Sequence, residues 1–248
     1  MPEQTTIPVT ATQVVAARLS IAAVITYQVL LAAAMVIKPE VDPSWQPMSE
    51  YAIGRLGWIT VVAFLVSAVS YGSLFVAVRS QATGAWGRVG LGVLLICTVG
   101  TVGVGVFVTD PIVTPPDSLS TTGTLHVIFG GTALTLLPLA ALLINLSMAR
   151  QHRARRTVRR ALLWSAGLPL LGLVVQWVWL SIVSSLDGSY GPGVDIGWPP
   201  RFLFLTYLVW LITLARQVTR MRGQEGRKGR EGPAPRHETT AGTGTSRR

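Results

Sequence analysis

Long apolar runs, separated by short polar stretches, dominate the chain. Six runs are long enough to cross a bilayer core, which takes about 20 helical residues. Each run is apolar on every side and lacks the alternating pattern of a barrel strand. A single segment in lipid can form all its backbone hydrogen bonds only as a helix. The pattern therefore predicts an all-α polytopic protein, a six-transmembrane-helix bundle. The predicted helices are Val14–Ile37, Leu56–Val78, Val89–Val108, Leu125–Met148, Ala161–Ile182 and Phe202–Val218.

Three regions follow from this pattern. Residues 1–13 form a short N-terminal segment, residues 14–218 the transmembrane domain, and residues 219–248 a basic tail rich in Gly, Arg and Thr. A tail of that composition buries too little apolar surface to offset its ordering, so we expect it to be disordered. Composition agrees with a membrane protein, because only 13% of residues are charged and the mean hydropathy is +0.49.

The charges are distributed unevenly between the two predicted sides of the membrane. With the N-terminus inside, 18 of the 21 Lys and Arg residues lie on the cytoplasmic side. The positive-inside rule then predicts a multi-pass protein of the plasma membrane with both termini in the cytoplasm. Its expected partners are membrane lipids, with the Arg150–Arg160 loop and the tail meeting anionic inner-leaflet lipids. The basic segments lack interleaved aromatic residues, which argues against nucleic acid as a partner.

Four ionisable residues occupy one depth near the outer surface: Glu50, Asp110, His126 and Arg201. Asp110 at the end of the third predicted helix and Arg201 at the start of the sixth both oppose the helix dipole. Ionisable groups at membrane depth usually face the bundle interior and pair with one another. We therefore expect them, with Tyr51, to line an outward-facing pocket that binds a lipid headgroup or a small polar solute. Arg201 would hold a phosphate or carboxylate.

The same residues allow two other interpretations. As an enzyme, the chain would use Ser49 as nucleophile, His126 as base and Asp110 to orient it, acting as a hydrolase or transferase on a lipid-linked group. His126 with Asp110 and Glu50 is an unusual but possible zinc set. As a structural protein, it would use the cluster as an ion-paired clasp that joins the second, third, fourth and sixth helices. Separately, we expect Ser49 to cap the second helix. The sequence does not decide whether the protein is an enzyme.

Several cofactor chemistries find no support. Bis-His haem ligation needs paired histidines within helices, and only His126 qualifies. Cys97 is the single cysteine, and no phosphate loop or dinucleotide fingerprint occurs. We therefore assign no cofactor and no metal. Within the apolar core, Asn145 and Gln176 are the strongly polar residues, and we expect each to form an interhelical hydrogen bond.

These motifs resemble the domain-of-unknown-function-998 family of prokaryotic membrane proteins with about six helices. The resemblance rests on SEYAIGRLGW opening the second helix, TDP ending the third, Gly-x-x-His opening the fourth and Arg opening the sixth. It covers roughly residues 14–218 and implies no established activity, with only a distant similarity to Frag1 and DRAM-type membrane proteins. The family pattern marks Ser49, Glu50, Tyr51, Gly54, Gly57, Trp58, Asp110, Pro111, Gly123, His126 and Arg201.

Overall fold

The computed structural model describes residues 8–151, 156–186 and 191–230. All six predicted helices are present, each long and apolar enough to span a membrane, and the described ranges contain no strand. Two short 3-10 helices, Met48–Ala52 and Pro116–Ser118, lie in the connections. The six-helix prediction is therefore confirmed. The helices are α1 (Ala11–Ile37), α2 (Trp58–Val78), α3 (Gly84–Val106), α4 (Thr121–Gln151), α5 (Arg156–Leu186) and α6 (Trp198–Arg230).

The sixth helix is longer than the apolar pattern indicates. It continues from Val218 to Arg230, so the first part of the segment expected to be disordered is helical. The buried side chain of Met221 packs into the main core cluster together with Val9, and the Arg222 guanidinium donates a hydrogen bond of 3.1 Å to the Val9 carbonyl. These contacts tie the helix extension to the start of the chain. The remainder of the predicted tail, residues 231–248, lies outside the described residues.

The six helices form a closed ring. Each helix packs against the next along the chain, and α1 also packs against α6. The α1–α2, α3–α4 and α5–α6 connections therefore lie at one end of the bundle, which we call the rim end. The α2–α3 connection, the end of α4, the starts of α1 and α5 and the end of α6 lie at the opposite end, which we call the basic end.

Packing is tight where small residues face a neighbouring helix. A Cβ on Gly103 of α3 would lie 2.3 Å from the Phe129 ring of α4, so only glycine fits at this contact. Large apolar side chains on the outside of the ring stay exposed, such as Val15 at 64% and Val174 at 58%. An exterior of this kind suits a hydrocarbon solvent.

A buried polar contact joins three helices in the half of the bundle nearer the basic end. The Asn145 side-chain amide donates to the Leu162 carbonyl at 2.7 Å and to the Ser165 hydroxyl at 3.0 Å, and accepts from the Trp210 indole at 3.2 Å. Asn145 therefore links α4 to α5 and α6. The interhelical bond predicted for this residue is confirmed.

Candidate functional site

The stretch between α1 and α2 folds into a compact turn on a buried lysine. Lys38 is 3% exposed, and its ammonium donates to the Tyr51 carbonyl at 3.1 Å and the Ile53 carbonyl at 2.5 Å. The Tyr51 hydroxyl donates to the Val41 carbonyl at 3.0 Å, and burial raises the pKa of this hydroxyl. Gly57 ends the turn, where a Cβ would lie 2.0 Å from the Ala52 carbonyl oxygen. Backbone and lysine together thus fix the position of residues 48–53.

Glu50 connects this turn to the α3–α4 connection. One carboxylate oxygen accepts from the Gln46 side-chain amide at 2.5 Å, and the other accepts from the backbone N–H of Ile112. The residue is only 4% exposed. The carboxylate is therefore committed to two neutral donors on two different connections.

Ser49 does not cap a helix, contrary to expectation. The 3-10 helix that contains it begins after Pro47 without a side-chain cap, and α2 begins only at Trp58, after Gly57. The Gly-rich turn separates the two helices, so Ser49 is too far along the chain to serve as the N-cap of α2. It lines the cavity described below.

Asp110 belongs to the start of α4 rather than to the end of α3. Because α3 ends at Val106, the carboxylate is free to fold back, and it accepts from the Ser120 backbone N–H at 2.7 Å and hydroxyl at 2.9 Å. A carboxylate beside a helix N-terminus is favoured by the dipole, which corrects the opposed placement inferred from the sequence. A Cβ on Gly123 would lie 2.0 Å from this carboxylate, so the Gly-x-x-His motif begins with glycine for steric reasons.

His126 lies one turn further into α4 and is 7% exposed. Its Nδ1 lies 2.7 Å from the Phe107 carbonyl oxygen, and its ring makes an edge contact with Phe64. Because a carbonyl oxygen only accepts, Nδ1 carries a proton and donates to Phe107. The group that orients His126 is therefore the Phe107 carbonyl and not Asp110.

Arg201 lies in the first turn of α6. Its Nη1 donates to the Gly197 carbonyl at 2.6 Å and the Gln46 carbonyl at 3.2 Å, and Trp198 lies over the guanidinium at 5.8 Å. Nε and Nη2 are buried and form no hydrogen bond of good geometry with the described chain, although the Tyr51 hydroxyl lies beside the guanidinium. Asp42 lies nearby, but the Ser44 backbone N–H and hydroxyl hold its carboxylate and lower its pKa.

The four predicted residues are not ion-paired with one another in the described chain, and of the predicted lining residues His126 lines the cavity described below, whereas Glu50, Tyr51, Asp110 and Arg201 are not among its lining residues. In the part of the chain that the structure describes, the one salt bridge joins Lys38 to Glu40, at 3.9 Å. Glu50 and Arg201 meet only through Gln46, whose side chain donates to the first and whose carbonyl accepts from the second. No group of three metal-ligating side chains occurs within residues 8–151, 156–186 and 191–230, so the zinc set does not assemble.

A cavity of about 220 Å³ extends from the rim into the bundle, and all six helices line it. Met48, Ser49 and Pro200 line it at the rim, and Tyr71 and Tyr207 line it near the middle of the bundle. Its walls are mostly apolar and aromatic. The lining residues with polar side-chain atoms are Tyr27, Ser49, Ser67, Tyr71, Thr101, His126, Gln176 and Tyr207.

Sequence reasoning missed two residues of this region. Gln46 bridges Glu50 and Arg201, but its position in an irregular loop gives no periodic signal. Gln176 was expected to bond a neighbouring helix; instead, its side-chain oxygen lines the cavity and has no partner among the described residues. The sequence signal for Gln176 was a polar residue within an apolar run. Whether such a residue bonds a neighbouring helix or faces a cavity depends on how the helices pack around it.

Comparison with known proteins places this geometry in a family. No curated protein and no solved structure matches the chain. The family model described as "Protein of unknown function (DUF998)" matches residues 20–217, which include α2 to α5, most of α1 and α6, and the whole rim end. The chain is therefore an integral membrane protein of the DUF998 family.

Proposed function

We propose that the protein binds an anionic amphiphile at the rim end, with the apolar chain of the ligand in the cavity and its acidic headgroup beside Arg201. The observation that carries the proposal is a buried guanidinium with two unpartnered nitrogens next to the mouth of a largely apolar cavity. Two prolines place the Arg201 guanidinium next to the cavity. Pro200 lines the cavity directly before Arg201, and Pro47 lines it directly after Gln46, which accepts from Arg201.

The shape of the cavity favours a chain-like ligand. Sites for drug-sized molecules usually enclose about 300–1,000 Å³, and this cavity is smaller. Along α2 its lining runs from Phe64 to Tyr71, a rise of about 10 Å at 1.5 Å per residue. A narrow apolar space of that length suits one acyl or isoprenoid segment better than a bulky solute.

The charge of the headgroup follows from Arg201. Buried donors are nearly always paired, and a guanidinium presents a planar fork that matches a carboxylate or phosphate. The nearest acidic side chains are already engaged, Glu50 by Gln46 and Ile112 and Asp42 by Ser44. An anionic ligand would supply the missing acceptor once the covering Trp198 ring moves aside.

Deeper in the cavity, the side-chain oxygen of Gln176 is an acceptor without a donor among the described residues. It favours a ligand with a hydroxyl or N–H group below its headgroup. The enzyme alternative retains only Ser49 and His126 in a common cavity, because the Asp110 carboxylate is bound to Ser120.

The charge bias of the chain supports the rim end facing outward at the plasma membrane, with both termini in the cytoplasm. The ligand would then come from the outer leaflet or from outside the cell. The cluster also has a clasp role, since Glu50 and Gln46 tie three connections together, and this role is compatible with ligand binding.

The test uses purified protein and lysophosphatidylglycerol, with lysophosphatidylcholine of the same chain length as comparison, and measures bound lipid by native mass spectrometry. Arg201→Gln should weaken binding of the anionic lysolipid about tenfold or more, because it removes a charge-assisted hydrogen bond. Arg201→Lys should retain part of the affinity. Gly130→Leu, which fills the cavity beside Val104, should weaken binding of both lysolipids.

Arg55→Gln is the matched control, because Arg55 is an exposed charge at the same end that does not line the cavity. It should leave affinity unchanged. Equal losses in Arg55→Gln and Arg201→Gln, or normal binding in a folded Arg201→Gln protein, would contradict the proposal.

A further inference from the structure

The basic end carries a second cluster of unpaired charge, formed where α4 ends and α5 begins. Arg150 lies in the last turn of α4, and Arg156, Arg159 and Arg160 lie in the first turns of α5. All four side chains are exposed. None of these arginines forms an ion pair with an acidic residue whose side chain the structure describes, because those residues all lie at the rim end.

Two adjoining surface cavities are built from these arginines. The first, of about 170 Å³, is lined by Leu146, Ala149, Arg150, Arg159 and Leu163. The second, of about 410 Å³, is lined by Arg156, Arg159, Arg160 and Leu163. Arg159 and Leu163 line both cavities and therefore form the wall between them. Of the two, the cationic Arg159 lies nearer the start of α5 and the apolar Leu163 lies one turn further along.

We infer that this pair of cavities binds an anionic phospholipid with two phosphate groups, of the diphosphatidylglycerol type. Each cavity is lined by at least two arginines, whose planar guanidinium groups can bind phosphate oxygens in pairs. Leu146 and Leu163 provide apolar contact for the acyl chains, and Trp164, 76% exposed beside them, marks this face of α5 as lipid-facing. Basic pockets between transmembrane helices at the cytoplasmic side bind headgroups of this class.

The inference does not depend on the proposed function, because the two sites lie at opposite ends of the bundle. A phospholipid with a single phosphate would fill only one of the two cavities. The two-phosphate lipid should therefore bind more tightly than phosphatidylglycerol at equal total lipid charge.

The experiment measures retention of diphosphatidylglycerol and of phosphatidylglycerol by the purified full chain, using native mass spectrometry. Arg150→Gln with Arg159→Gln should weaken diphosphatidylglycerol binding substantially, by about fivefold for each arginine removed. Arg79→Gln with Arg88→Gln removes the same charge from the same end at exposed positions that line neither cavity, and should leave binding unchanged. The same comparison is made in an Arg201→Gln background, where the loss caused by removing Arg150 and Arg159 should be the same, which separates this site from the one at the rim end.

Three results would overturn the inference. The first is an equal loss in the Arg79/Arg88 variant, which would indicate diffuse attraction by net charge. The second is equal retention of the one-phosphate and two-phosphate lipids. The third is competition by inorganic phosphate that is as strong as competition by the whole lipid, because Leu146 and Leu163 would then contribute nothing to the binding affinity.

Discussion

At the scale of single residues, the rim end depends on backbone atoms more than on opposite charges. Glu50 binds the Ile112 amide, His126 the Phe107 carbonyl and Arg201 the Gly197 carbonyl. Such contacts require the connecting segments to be held in place. Glycines in these segments allow the close packing that holds them. A Cβ atom at Gly57 would overlap the Ala52 carbonyl, and one at Gly123 would overlap the Asp110 carboxylate.

Gly123→Ala is expected to destabilise the protein by about 1–3 kcal/mol, since its Cβ would displace the Asp110 carboxylate and leave Ser120 unpaired. Chemical unfolding in detergent micelles measures this free energy. Gly131→Ala, on the same helix with nothing within 4 Å of its Cβ, is the control and should be neutral or slightly stabilising. A neutral Gly123→Ala would show that Asp110 does not hold the start of α4.

At the scale of elements, a single cation fixes the turn before α2. Lys38→Met should lower the free energy of unfolding by about 1.5–3 kcal/mol, because two carbonyls lose a charged donor. Glu40→Gln removes the 3.9 Å ion pair to a 65% exposed carboxylate and should have little effect. Both variants can be compared by the same unfolding titration. Equal effects would mean that the ion pair, and not the carbonyl contacts, holds the turn.

The contact between α4, α5 and α6 gives another prediction at this scale. Asn145→Leu should destabilise the bundle by about 1–3 kcal/mol by leaving the Trp210 N–H buried and unpaired. A double-mutant cycle with Ser165→Ala should give a coupling of about 0.6 kcal/mol, with about 1.7 as an upper bound. Thr98→Val, which removes a hydroxyl bonded only within α3, is the control. Zero coupling would remove Ser165 from the contact.

The existence of the elements was predictable because each apolar run is long enough to span a bilayer on its own. The ends of the helices were harder to predict. The extension of α6, for example, is held by the contact between Arg222 and Val9, which are far apart in the sequence. The rim residues were identifiable by depth and charge. Their partners were not, because Gln46, Ser120 and the Phe107 carbonyl lie in irregular connections whose shape no periodicity encodes.

At the scale of the whole molecule, charge is separated between the two ends of the ring. The orientation proposed from this separation predicts that a green fluorescent protein fusion after Gln151 fluoresces, since that reporter folds in the cytoplasm. An alkaline phosphatase fusion there should be inactive, and one placed after Asp42 should be active. The reverse pattern would invert the orientation and place the cavity mouth on the cytoplasmic side.

The closed ring also bears on how the protein is made. Every helix contributes to the cavity wall, and α6 contributes Pro200, Phe204 and Tyr207. A nascent chain that has inserted only five helices therefore has no complete cavity, and Gln176 and Asn145 lack the shielding of the final helix. During biosynthesis α6 follows the other five helices and closes both the seal and the cavity, so we expect chains that stop before α6 to bind no ligand at the rim end and to be sensitive to quality-control proteases.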